Sequence, residues 1–157
     1  MSKLKDEVEL LRTIPVFSEL PANKLKLLAF ASDHMDYKDG EVLFEQGDVA
    51  DSAYVVIKGG ADVLVTPEGE TQSNKVAELG PNSFIGDMAI LADITRTATI
   101  RANAPLSTLR IRKDHLIDMM QDSPTFTMAV LRELVLRLKK TTSDLSDAQA
   151  EVARLKG

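Results

Sequence analysis

Apolar residues recur at helical spacing near the start of the chain, where Leu4, Val8 and Leu11 share one face until Pro15 interrupts. A second short amphipathic stretch, Lys24 to Phe30, follows Pro21-Ala22-Asn23. From about Ser32 the pattern changes. Short runs rich in β-branched and aromatic residues (Val42–Phe44, Tyr54–Ile57, Val63–Val65, Thr97–Ile100 and Thr108–Ile111) alternate with turn signals. Those signals are Asp39-Gly40, Gly47-Asp48, Gly59-Gly60, Pro67-Glu68-Gly69 and Gly80-Pro81-Asn82. Short strands with a turn every ~8–12 residues predict a sandwich, barrel or jelly roll.

Near Lys113 the helical period returns. Asp114 to Met120 predicts a short helix, stopped around Ser123-Pro124, and from Thr125 to Lys156 no glycine or proline intervenes. Within that stretch Leu131, Leu138, Leu145 and Val152 sit seven apart, with Leu134, Thr141, Ala148 and Leu155 at the complementary positions. A seam through four heptads predicts a long helix that pairs with another helix across a homodimer, the alternative being a helix packed on its own domain, and Thr141 and Ala148 weaken its middle. The expected fold is therefore mainly β with flanking helices. It is a double-stranded β-helix or jelly roll in one domain over 1–157, with N-terminal helices over 1–31, a β-roll over 32–112 and C-terminal helices over 113–157.

Composition narrows the chemistry. A chain of 157 residues can bury roughly two-thirds of the surface its unfolded form exposes. The net charge of −5 provides no global field for nucleic acid or an anionic membrane, so a small anionic ligand needs a local positive site. There are no cysteines, which excludes disulfides, thiolate metal sites and cysteine nucleophiles. The N-terminus has no apolar signal core and no apolar run approaches ~18 residues, so a cytoplasmic setting without a membrane span is expected. The two histidines, His34 and His115, lie on separate segments without a His-x-His pair or an adjacent nucleophile motif. No Gly-x-x-x-x-Gly-Lys loop occurs. Neither a metal site nor catalysis is expected.

The most informative stretch runs from Asn82 to Ala98. Gly86 permits a close backbone turn, and Met88-Ala89-Ile90-Leu91 suits one short helical turn whose free N–H groups can receive an anion. Arg96 follows at the entry to a strand, and its planar fork can hold two phosphate oxygens at once. Asp87 at the mouth of such a site adds repulsion unless the ligand also offers a hydroxyl. The ribose 2′-OH of a 3′,5′-cyclic nucleotide is such a donor, and a hydrogen bond to a charged group is worth ~1.5–3 kcal/mol. Arg132-Glu133 and Arg137-Lys139-Lys140 read as wet faces of the long helix. Phe126 reads either as helix packing or as a cover over the ligand.

Phe84-Ile85-Gly86-Asp87-Met88-Ala89-Ile90-Leu91 with Arg96-Thr97-Ala98-Thr99-Ile100-Arg101-Ala102 resembles the phosphate-binding cassette of cyclic nucleotide-binding domains. Gly40 to Asp48 and Tyr54 to Gly59 resemble the family's earlier turns and strand in order and spacing. Among relatives the resemblance is greatest to the sensory half of catabolite-activator (Crp/Fnr-type) regulators. It implies that Arg96 clamps the cyclic phosphate, that Gly86, Ala89 and Thr97 line its cradle with Phe84, Ile85, Met88 and Ala98 alongside, and that Asp87 takes the ribose role. The family usually has Glu at that position, and Asp is one methylene shorter. Thr95 also replaces a frequent Pro. Thr97 resembles domains that accept cyclic GMP. Arg137-Leu138-Lys139-Lys140-Thr141-Thr142 resembles the catabolite-activator segment whose hydroxyls contact adenine, one from the partner subunit, which places Thr141 and Thr142 over the pocket and favours cyclic AMP. The resemblance implies a regulatory module that signals by reorienting its C-terminal helix to a downstream partner of unknown identity, with no DNA-binding helix-turn-helix before Gly157. The alternative is a degenerate β-roll kept as a dimerisation or interaction scaffold. A jelly-roll enzyme is the third reading.

Overall fold

The computed structural model describes residues 2–156, with side chains from Lys5 onward. Met1 and Gly157 lie outside the described residues. Two helices, α1 (Ser2–Arg12) and α2 (Ala22–Ala31), precede the strands β1 (Asp33–Tyr37), β2 (Val42–Phe44), β3 (Ser52–Lys58), β4 (Ala61–Val65), β5 (Asn74–Leu79) and β6 (Phe84–Ile85). The short helix α3 (Asp87–Ala92) interrupts the strands before β7 (Thr99–Ala102) and β8 (Leu106–Arg112), and α4 (Lys113–Asp122) and α5 (Pro124–Lys156) complete the chain.

The strands form two four-stranded antiparallel sheets, ordered β1-β8-β3-β6 and β2-β7-β4-β5. This is the expected jelly-roll architecture. β3 lies between β8 and β6 and is buried on both faces, and its period of two sorts its side chains. Tyr54 and Val56 join Ile85, Ile100 and Leu106 inside the roll, whereas Ala53 and Val55 face outward. The outer face meets Leu109 and Ile111 of β8 and the helices, where Val8, Leu11, Leu25, Leu28, Leu116 and Val130 complete a second core. Phe126 stacks on Phe17 with ring centroids 5.6 Å apart and is buried there, so it is packing and no cover for a ligand.

α5 begins where the sequence places a stop. Pro124 occupies the first helical position, where its missing N–H removes no helical bond, and the Ser123 hydroxyl accepts the Phe126 N–H at 3.2 Å. β1 and β5 were not foreseen, although β1 alternates half-buried and exposed residues along its length. β5 is exposed along nearly its whole length, so only its ladder to β4 defines it. No helix among the described residues is long and apolar enough to cross a membrane.

Candidate functional site

β6 delivers the chain into a turn at Gly86, whose φ of 84° lies in the left-handed region. This turn starts α3, and Asp93 ends it, also left-handed, with Ile94 N–H returning to the Ala89 carbonyl at 3.0 Å. The chain then reaches Arg96 before a strand has formed. β7 begins only at Thr99, so Arg96 stands three residues ahead of the strand it was expected to enter, with Thr97 and Ala98 in a bend between. What holds it there is the Gly47-Asp48 turn. Arg96 N–H donates to the Asp48 carbonyl and Gly47 N–H donates to the Arg96 carbonyl, each at 2.8 Å.

The Arg96 side chain turns inward and is only 3% exposed. Its Nη1 donates to the Gly86 carbonyl at 2.8 Å, its Nη2 donates to the Ser52 carbonyl, and Cζ lies 3.9 Å over the Phe44 ring. No carboxylate bonds it among the described residues, and Nε is buried without a partner. Burial draws the guanidinium pKa below its usual value, and the field of Tyr54, Asp51 and Asp48 opposes that shift. A guanidinium desolvated without a directly paired anion is unfavourable by itself, and a bound anion would relieve it. Gly86 is fitted to this guanidinium, because a Cβ there would stand 2.5 Å from Nη1.

Asp87 opens α3 and is 1% exposed. Its Oδ1 accepts a hydrogen bond from Nη1 of Arg137 on α5 at 3.1 Å, while Oδ2 is buried and unpartnered. Arg137 is therefore no free member of the wet helix face that its sequence neighbours suggested. It ties the long helix to the turn beside Arg96, and no local pattern in the sequence marks it. Thr141 itself is exposed and donates back to the Arg137 carbonyl at 3.0 Å, and Thr142 is exposed too. Neither threonine is hydrogen-bonded to the turn at Gly86.

The remaining expected residues divide. Gly86, Asp87 and Arg96 converge, and Ala89 is buried on α3 close by. Ile85 points into the roll with Tyr54. Phe84 sits edge-on to Phe17 at 5.2 Å, which makes it part of the joint between roll and helices. Met88 and Thr97 are exposed and Ala98 half-buried, so all three are open to a ligand and none bonds the cluster. Among the described residues no group of three or more His, Cys, Asp or Glu side chains could hold a metal. What is assembled is one buried cation, the free amides that begin α3 and one carboxylate oxygen without a partner. Together they can hold a small monoanion that also carries a hydroxyl.

Comparison with known proteins agrees in kind. The model of the cyclic nucleotide-binding domain matches residues 34–123. An uncharacterized NTE family protein of Mycobacterium bovis is 30% identical over 131 residues, 83% of this chain and 22% of that protein. The CRP-like cAMP-activated global transcriptional regulator of Mycobacterium tuberculosis is 24% identical over 140 residues, 88% of this chain and 62% of its own length. The chain thus spans less than two-thirds of either relative. The crystal structure of the sensor domain of the transcriptional regulator DNR from Pseudomonas aeruginosa superposes with a TM-score of 0.80 at 22% identity, covering 91% of this chain and 95% of that one.

Proposed function

The chain belongs to the cyclic nucleotide-binding domain family, and from that premise we propose that it binds a 3′,5′-cyclic nucleotide beside Arg96 and relays occupancy through α5, without catalysis. The observation that carries this reading is the Arg96 guanidinium, buried against the Gly86 turn with no bonded carboxylate. A cyclic phosphate brings a single negative charge that the guanidinium and the α3 amides can share. The ribose 2′-OH has an acceptor in Asp87 Oδ2, the oxygen that Arg137 leaves free.

The same contact supports a route for the signal. A ligand that engages Asp87 alters the partner of Arg137, and so the preferred seat of α5. It shifts the helix only by its differential affinity for the two seats. Cyclic AMP is favoured over cyclic GMP because Thr141 stands one turn beyond Arg137 and, with its proton given to the Arg137 carbonyl, its oxygen can accept from the adenine amine. The Mycobacterium tuberculosis relative is, by its name, cAMP-activated. Thr97, exposed beside Arg96, is the feature favouring cyclic GMP.

Past the β-roll, α5 leaves its seam uncovered. Leu138 is 66% exposed, and Leu131, Leu145, Val152 and Leu155 are exposed as well. This supports a homodimer paired through α5, which would bring the partner's helix toward each pocket. The scaffold alternative draws on one observation: Arg137 already occupies one oxygen of a carboxylate that is shorter than the family's usual Glu. Calorimetric titration of the chain with cyclic AMP, cyclic GMP and 5′-AMP separates the two. Saturable binding of a cyclic nucleotide, with 5′-AMP excluded, supports the receptor. Absence of binding at millimolar ligand leaves the scaffold.

A further inference from the structure

Away from the nucleotide site, a groove of about 600 Å³ runs between α2 and α4. Leu28 and Met119 floor it and are buried, whereas Leu27 on its wall is 60% exposed and Phe30 is 81% exposed. Isolated exposed apolar residues are ordinary, but a large aromatic and a leucine three apart on one helix, beside an apolar trough, form a continuous surface. The charges along its other wall are arranged. Asp114, Asp118 and Asp122 recur every four residues along α4, and Asp118 and Asp122 line the groove. Like charges at this spacing repel one another. Carboxylates toward the C-terminal end of a helix also oppose its dipole, and the last turn of α4 carries no basic residue to offset them. Asp118 and Asp122 therefore work against the helix that bears them, whereas Asp114 in its first turn suits the dipole.

One of these carboxylates already has the partner such an arrangement suits. Lys24 of α2 reaches across the groove and bonds Asp122 through its ammonium group. Asp118, one turn earlier and lining the same groove, meets no cation among the described residues. We propose that this groove docks an amphipathic helix of a partner protein, its apolar side on Leu27 and Phe30 and a lysine or arginine on Asp118, repeating the Lys24 contact. An anionic membrane is repelled by the net charge of −5. The inference does not depend on what occupies the Arg96 site.

The test uses the full chain and two fluorescent synthetic helical peptides with identical leucine faces, one carrying two lysines four apart and the other glutamates in their place. Fluorescence anisotropy should show saturable binding of the lysine peptide, at least about tenfold tighter than the glutamate peptide, the scale of one well-formed charge contact. Phe30→Ala and Asp118→Lys should each weaken it by about fivefold or more. Both positions are exposed, so both variants should fold and keep the wild-type response in the nucleotide titration. The proposal is overturned by absence of saturable binding, by equal binding of the two peptides, or by binding that survives both substitutions. It is also overturned by a concentration-dependent dimer that Phe30→Ala abolishes, since that would assign the groove to a second copy.

Discussion

Arg137 and Asp87, fifty residues apart in sequence, meet at 3.1 Å and join the long C-terminal helix to the turn that faces Arg96. Asp87 is wholly buried and Arg137 about one-third exposed, so the pair lies between a surface ion pair and a buried one. Removing the guanidinium strands a carboxylate inside the protein. Arg137→Ala should lower stability in urea by about 1.5–3 kcal/mol, the value of a hydrogen bond to a charged group. That is less than the ~3–5 kcal/mol of a fully buried pair, because water can enter from the helix side. A variant as stable as wild type would mean that α5 is not tied to α3.

Gly86 meets two demands at once, a φ of 84° and clearance for Arg96 Nη1. Gly86→Ala should therefore cost about 1–3 kcal/mol through backbone strain alone and displace the guanidinium in addition. Urea denaturation should report the first effect. Loss of cyclic nucleotide binding in the variant that remains folded should report the second. Unchanged stability with unchanged binding would contradict both.

Pairing of α5 is tested by charge at the seam. Leu138→Glu with Leu145→Glu alters two exposed side chains, so it should leave the melting of the β-roll nearly unchanged. Sedimentation equilibrium should show a dimer for wild type and a monomer for the double variant. A wild-type monomer at ~100 μM would remove the dimer from the proposal.

The inside of the roll has its own titration signature. Burial, reinforced by Tyr54 beside it, pushes the Tyr37 phenol up to about 12, and burial raises Tyr54 as well. Because the folded state favours the neutral phenol, the Tyr37 contribution to stability is complete below the ordinary value of 10. It is lost as pH rises toward 12. These are the only tyrosines. Absorbance at the phenolate band should stay low at pH 10 and rise above it, and Tyr37→Phe should remove the later step. Half the phenolate signal already present at pH 10 would contradict the packing of Tyr37 against Tyr54.

How much of this was legible beforehand depends on where the information lies. The cassette is local: Gly86, Asp87 and Arg96 fall within eleven residues, and turn chemistry with a forked cation announces an anion site. The long helix could be read from its heptad spacing because a period repeated four times outweighs two weak positions. β5 could not, since its residues are nearly all exposed and only pairing with β4 makes it a strand. Arg137 was hidden for a related reason. A basic residue in a polar run looks solvated until the fold brings a buried carboxylate beneath it. The turn at Gly47-Asp48 was visible as a turn, but its grip on the Arg96 backbone is a long-range contact with no local trace.

The claim on which the rest depends is that Arg96 is a phosphate receptor and more than a structural cation. Calorimetry of cyclic AMP with wild type, Arg96→Lys and Arg96→Ala, each first shown to be folded, tests it most directly. Wild type should bind saturably. Arg96→Lys, which keeps the charge but loses the fork, should weaken binding by about tenfold or more, and Arg96→Ala should abolish it. Binding of equal strength in all three would contradict the assignment.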